Sequence, residues 1–404
     1  MRFPSQYSSA LLISLLAITT STGAQAPANP PPPPPNAVVS SAGNIKIERL
    51  ATLEYPWGLA VLPDGRLLIT EKPGRLRIWE KGRLSDPVQG VPAVVNRTPG
   101  EQGGLLDVDI DPNFASNRLV YLSYVEADPN GATIAETGEL RFGSSRDYSD
   151  TIVRGGAIAR ARLEGNQLRD LQVIWRQVPK TGGRGHFGVR MVFGPDGKLY
   201  ATSGERMRFD PAANLKSNLG KVIRINPDGS TPADNPFAGT DTARADIWSY
   251  GHRNTLALAF DASARLWALE MGPLGGDELN LIQRGKNYGW PYVSNGDNYA
   301  GPAIPDHATS RVYTAPIRSW TPVIAPSGAI LYTGAMFPAW RGSILVGGLA
   351  TQSLIRLQLD GDQRVGIEER VFMGRRIRDV AQAADGAVLV IVDAPSGDLL
   401  RLTR

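Results

Sequence analysis

Short apolar runs recur along this chain, each five to seven residues long and each opened by a turn signal. Pro63-Asp64-Gly65-Arg66-Leu67-Leu68-Ile69 resembles Pro195-Asp196-Gly197-Lys198-Leu199-Tyr200. Asp261-Ala262-Ser263-Ala264-Arg265-Leu266-Trp267 and Ala384-Asp385-Gly386-Ala387-Val388-Leu389-Val390 repeat the pattern, and only the Asp261 copy lacks the Asp-Gly pair. Asp-Gly reverses the chain, and the apolar run behind it predicts a buried strand. A second set of runs follows at a distance: Arg75–Trp79, Ala157–Leu163, Lys221–Ile225, Glu278–Ile282, Leu354–Leu357 and Leu399–Leu402. Their apolar and polar residues alternate, which predicts half-exposed outer strands. Six such returns predict an all-β fold, a six-bladed β-propeller with four-stranded antiparallel blades. Asn44–Leu53 (NIKIERLATL) is expected to close the ring against the last blade.

In a propeller, loops from every blade converge at one end of the central channel, so residues distant in sequence meet there. Composition fits this picture. The 404 residues carry 44 Gly and 31 Pro, as many tight turns require. Charge is nearly balanced, 43 basic against 39 acidic residues, and no basic run with interleaved aromatics points to nucleic acid. With no cysteine, disulfides and thiol chemistry are excluded.

The start of the chain carries targeting information. Arg2 precedes the apolar stretch Ala10–Ile18, too short to span a bilayer, and Ala24-Gln25-Ala26 is a small-x-small cleavage pattern. Residues 1–26 are therefore expected to be a secretion signal, the alternative being an uncleaved anchor, 27–43 a Pro-rich linker and 44–404 the propeller. The mature protein is expected to be periplasmic or secreted, with no stable membrane insertion.

Candidate chemistry concentrates in a few loops. There are three histidines. His186 lies in a glycine-rich loop (TGGRGHFGVR) just before an apolar run, and an imidazole there can take a proton from a hydroxyl; the alternative is a surface-loop histidine. His252 is expected to orient the Arg253-Asn254 loop, and His307 to lie at the surface. Arg253 and Asn254 can hold ligand oxygens. In an extended segment Arg376 and Arg378 project to one side, which suits a polyanion; the alternative is a solvated strand edge paired with Asp379. Gln102 lies in another glycine-rich loop. Main-chain oxygens around Met271-Gly272-Pro273, followed by Asp277 and Glu278, suit calcium; the alternative for Asp277 and Glu278 is solvated charge at the start of a strand.

Taken in order, GEQGGLLDVDIDPNF, GHFGVRMVFGPDGKLY, YGHRNTLALAFD, MGPLGGDELNLI, GKNYGWP, VIAPSGAILY and RRIRDV resemble the soluble pyrroloquinoline quinone (PQQ)-dependent sugar dehydrogenases, specifically the aldose sugar dehydrogenase branch. The resemblance runs from Tyr55-Pro56-Trp57-Gly58-Leu59 to the C-terminus and also implies a six-bladed propeller. It implies His186 as catalytic base, with Arg253 stabilising charge on the quinone oxygen. Gln102, Arg253, Asn254, Arg376 and Arg378 fall at quinone-binding positions. The carbonyls of Gly272 and Pro273 fall where a calcium ion joins the quinone, and Glu278 and Tyr288 resemble a second, structural calcium site. The implied reaction oxidises the anomeric carbon of an aldose to a lactone by hydride transfer to PQQ, with an external electron acceptor. One departure stands out: the glucose dehydrogenase branch has a cofactor-binding lysine in the segment equivalent to Gly348–Ser353, and this chain has none there. The rival readings are a calcium-dependent propeller lactonase and a non-catalytic propeller binding module.

Overall fold

The computed structural model describes residues 37–96, 101–131, 152–361 and 364–404, all within the compact unit Pro34–Arg404. The expected leader and the proline tract lie outside the described residues. The fold is a six-bladed β-propeller. Five blades are four-stranded, running Pro56–Leu84, Leu105–Arg176, Gly188–Tyr250, Thr255–Trp320 and Pro326–Phe372. The sixth combines Ile377–Gln382, Val388–Val392 and Gly397–Thr403 with Gly43–Leu53. Lys46 pairs with Thr403 and Leu53 with Gly397, so the N-terminal strand closes the ring as its sequence pattern predicts. The propeller begins before residue 44. Ala37–Ser40, within the expected linker, pairs with Gly43–Lys46 and adds a fifth strand to this sheet. Its Ala-Val-Val run can satisfy its backbone there, as the proline tract before it cannot.

The Asp-Gly strands are the second strand of their blades, and all are fully buried. Their turns need a left-handed residue, supplied by Gly65, Gly197 and Gly386; in the copy without Asp-Gly, Ala264 takes that conformation at φ 60°. The second set of runs meets expectation only in part: Arg75–Glu80 alternates buried with half-buried residues as predicted, and the others do so less regularly or not at all. These are third strands, paired on both sides, and Lys221–Ile225 and Asp277–Ile282 are buried throughout. Alternation misleads here because each blade is covered on both faces. Leu68 packs toward the second blade while Leu67 and Ile69 pack toward the sixth. Val388 and Val390 face the fifth blade while Leu389 and Ile391 face the first. Each such side chain gains roughly 1.5–3 kcal/mol from burial, so the core is a ring of interblade layers.

The innermost strands, Pro56–Val61, Leu105–Ile110, Gly188–Phe193, Thr255–Phe260, Pro326–Leu331 and Ile377–Gln382, pack side by side in a closed ring around the channel. Their N-terminal ends meet at one mouth, together with the turns that leave the second strands of the first, third, fourth, fifth and sixth blades. That mouth holds the candidate site.

Candidate active site

A cavity of about 410 Å³ opens at this mouth, lined among others by Trp57, Lys72, Gln102, Asn254, Arg376, Arg378 and Asp393. His186 lies beside it, immediately before the lining residues Phe187 and Gly188.

His186 is buried and held in the left-handed region at φ 51°, a strained state for a residue with a Cβ. Its Nδ1 lies 2.5 Å from Glu205 Oε1, and its backbone N–H donates to Gln102 Oε1 at 2.9 Å. Glu205 Oε2 in turn accepts the N–H groups of Arg208 (2.5 Å) and Phe209 (2.7 Å). With Nδ1–H directed at the carboxylate, Nε2 is the unprotonated nitrogen. Burial, and secondarily the positive charge of Arg253, lower the His186 pKa from its usual value, while Glu205 partly offsets them. Burial works against the Glu205 charge, but His186 and Arg253 outweigh it and hold its pKa low. The close approach depends on Gly204, since a Cβ there would meet His186 O at 2.1 Å. Glu205 was not singled out from the sequence. The signal is the hairpin register, which pairs Gly188 with Ser203 and so brings the residues following Ser203 to His186.

Arg253 and Asn254 are buried at the start of the fourth inner strand. Arg253 Nη1 donates to the carbonyls of Met271 (3.0 Å) and Gly272 (2.8 Å), and its backbone N–H to Glu270 (2.7 Å). Arg253 Nε and Asn254 Oδ1 have no partner among the described residues. Buried polar atoms are rarely left so, and both suit a ligand. Arg376 and Arg378 share one counter-ion, Asp393, at 2.8 and 2.9 Å. Burial works against the Asp393 charge, but the two arginines pull its pKa down to about 2. The alternative pairing with Asp379 is overturned: that carboxylate turns into the channel and binds Arg190 at 2.9 Å. The inner strand's alternation sends Asp379 away from its two arginine neighbours.

The expected metal donors occupy adjoining positions. At Met271-Gly272-Pro273 the chain offers neutral main-chain oxygens, a donor set that suits calcium rather than zinc. The Gly272 carbonyl already accepts Arg253, and Asp277 spends its two oxygens on the N–H groups of Gly272 (2.9 Å) and Ala325 (2.6 Å). A calcium ion here would rest on carbonyls and on oxygens of its ligand, and would share Gly272 with Arg253.

Glu278 and Tyr288 line one small cavity with Glu270. Asp277 and Glu278 are buried, not solvated as the alternative reading held. Burial, reinforced by Glu270, pushes the Glu278 pKa well up, and Asn280 Nδ2 bridges the two glutamates at 3.0 Å each. Tyr288 contributes its carbonyl, which His307 Nε2 meets at 2.9 Å, while its hydroxyl donates to Leu281 O. Asn280 Oδ1 and His307 Nδ1 make no hydrogen bond among the described residues. Two buried glutamates beside these orphaned atoms fit a cation. His307 is thus buried rather than superficial, drawn in by the Tyr288 carbonyl and by Glu278 at 3.6 Å. His252 braces the Arg253 loop as expected, bridging Ser249 (2.8 Å) and Glu270 (2.9 Å).

Comparison with known proteins extends this picture over the whole propeller. An aldose sugar dehydrogenase, YliI, of Escherichia coli (strain K12) is 37% identical over 382 residues, 93% of this chain and 97% of that protein. A solved glucose dehydrogenase is 39% identical with a TM-score of 0.79, covering 88% of this chain and 99% of that one. The PQQ-bound form of an aldose sugar dehydrogenase from Streptomyces coelicolor is 28% identical with a TM-score of 0.66, covering 91% and 99%. The sequence profile of the Glucose / Sorbosone dehydrogenase family matches residues 53–401, nearly all of the propeller just described, and this chain belongs to that family.

Proposed function

We propose that this protein is a PQQ-dependent aldose dehydrogenase that oxidises the anomeric carbon of a sugar to a lactone and passes the electrons to an external acceptor. The observation that carries this is the pairing, at one mouth, of a dyad able to accept a proton with a cationic wall able to bind a polycarboxylate. Relatives described as an aldose sugar dehydrogenase and as PQQ-bound support the same substrate and cofactor classes. When bound, PQQ supplies the hydride acceptor and calcium the Lewis acid. The chain's own part is as follows. His186 Nε2 takes the proton of the anomeric hydroxyl, and Glu205 holds the imidazole in the tautomer that leaves Nε2 free and stabilises its protonated form. Arg253 offers a guanidinium to charge developing on the quinone oxygen. Arg376 and Arg378 anchor carboxylates, Gln102 and Asn254 complete the polar lining, and the carbonyls of Gly272 and Pro273 hold the catalytic calcium. Glu278 and the Tyr288 carbonyl, with Glu270, hold the structural cation. Residues 1–26 direct export to the periplasm or medium, and the spacer from residue 27 leads to the propeller.

The test is reconstitution. Chelator-treated protein is supplied with PQQ, with calcium, or with both, and dye reduction is followed with a panel of aldoses. Activity is expected only with both. Oxidation with PQQ alone in metal-free protein would remove calcium from the account. No aldose oxidation under full reconstitution would favour the lactonase or binding-module reading.

A further inference from the structure

Lys72 lines the same cavity. It follows the second strand of the first blade, Leu67–Glu71. The equivalent turns supply Glu205 in the third blade, Met271 and Gly272 in the fourth, Leu349 in the fifth and Asp393 in the sixth. The propeller therefore delivers the first or second residue after each of these second strands to one mouth. The fifth-blade turn, Gly348–Ser353, contains no lysine; the first-blade turn does.

The position of Lys72 is fixed. Its backbone N–H donates to Tyr55 O at 3.0 Å and its carbonyl accepts Leu105 N–H at 3.0 Å. Its side chain passes the Tyr55 ring, with Nζ 5.3 Å from the centroid, and Nζ donates to the Glu101 carbonyl at 2.7 Å. Lys72 is only 9% exposed, and among the described residues its ammonium meets no carboxylate at ion-pair distance. The Glu101 carboxylate is bound to Arg154, and Asp393 to Arg376 and Arg378. Burial, then the charge of Arg378, depress the Lys72 pKa, so the two cations feel each other. A buried ammonium without a carboxylate is costly unless something else compensates it. The wall thus carries Lys72, Arg376 and Arg378 against the single carboxylate of Asp393.

We propose that Lys72 is a ligand-binding residue that contacts a carboxylate of the bound quinone, so that this chain draws its lysine from the first blade where the glucose dehydrogenase branch draws one from the fifth. The proposal rests on the quinone reading above. The ammonium has donors left after the one given to Glu101 O, and its neighbours Arg376 and Arg378 bring it within the same polyanion's reach.

The experiment titrates full-length, calcium-loaded protein with PQQ and follows cofactor absorbance. Lys72→Gln keeps an amide donor for the Glu101 carbonyl but removes the charge; Lys72→Arg keeps the charge. Lys72→Gln should bind PQQ about 10- to 150-fold more weakly, Lys72→Arg within a few-fold of wild type, and the PQQ-free melting temperatures should coincide. Raising salt should weaken wild type and Lys72→Arg more steeply than Lys72→Gln. If Lys72→Gln fails to fold, the Lys72→Arg titration and the wild-type salt dependence decide instead: loss of affinity in Lys72→Arg, or affinity indifferent to salt, overturns the proposal. Equal affinity in folded Lys72→Gln and wild type overturns the lysine contact alone. Failure of wild type to take up PQQ overturns the quinone reading and this contact with it.

Discussion

Two charged clusters along the channel, one buried and one at its open mouth, use the same residue types to opposite ends. Below the mouth, Arg190 is saturated. Its Nη1 binds Asp107 at 2.8 Å and Asp379 at 2.9 Å, Nε binds Leu256 O, and Nη2 binds the carbonyls of Trp57 and Arg378. Asp107 and Asp379 then reach on to the N–H groups of Met191 and Leu59, and the guanidinium stacks 3.9 Å above Trp57. At the mouth, Arg376 and Arg378 share one carboxylate, Lys72 has a carbonyl, and atoms of Arg253 and Asn254 have no partner among the described residues. The girdle satisfies itself and ties inner strands of five blades together: the first, second, third, fourth and sixth. The mouth is left short of anions, a cost that a folded protein recovers only when something binds. The difference teaches that a buried arginine marks a binding site by what its donors lack, not by its burial.

The largest effect should come from the dyad. His186→Ala is expected to lower aldose turnover by roughly 10²–10⁴-fold with PQQ affinity nearly unchanged, measured by steady-state dye reduction at saturating cofactor. Glu205→Gln should lower turnover less and displace the acidic limb of the pH profile. The Glu205 charge raises the His186 pKa against burial and Arg253. Without it that pKa falls further, the neutral base persists to lower pH, and the limb moves down. Near-normal turnover in fully loaded His186→Ala would remove His186 as the base.

The girdle should break differently. Arg190→Met leaves Asp107 and Asp379 buried without their cation and should cost about 3–5 kcal/mol of stability, read from denaturant unfolding. Molecules that remain folded should keep PQQ affinity close to wild type. A stability loss under 1 kcal/mol would show that Arg190 is not the tie described.

How far the sequence disclosed this arrangement depended on the kind of signal. Turn chemistry was legible: the Asp-Gly pairs mark second strands, and Asn44–Leu53 closes the ring because its apolar face needs a partner sheet. Strand depth was not, because alternation says nothing about whether the other face is covered, and Leu68 and Ile69 are buried against different blades. At the site, the glycine-flanked His186 and the Arg376/Arg378 spacing were visible locally. Glu205, Asp393 and Lys72 were not, since each is an ordinary charge beside a turn until six blades bring those turns together. His307 misled for the same reason: its Pro/Asp/Ala-rich surroundings read as surface, while its partners Glu278 and Tyr288 lie in another part of the loop system.

The central claim is that the mouth, unlike the girdle, is built for a polyanionic quinone. The most direct test is a PQQ titration of the Arg376→Ala/Arg378→Ala double variant, with the ligand-free melting temperature recorded alongside. Each lost charge-assisted contact should cost about 1.5–3 kcal/mol, so affinity should fall by roughly 10²–10⁴-fold. The melting temperature should fall less than in Arg190→Met, because Asp393 is left facing the open cavity rather than sealed in the core. PQQ affinity equal to wild type in the folded double variant would contradict the account.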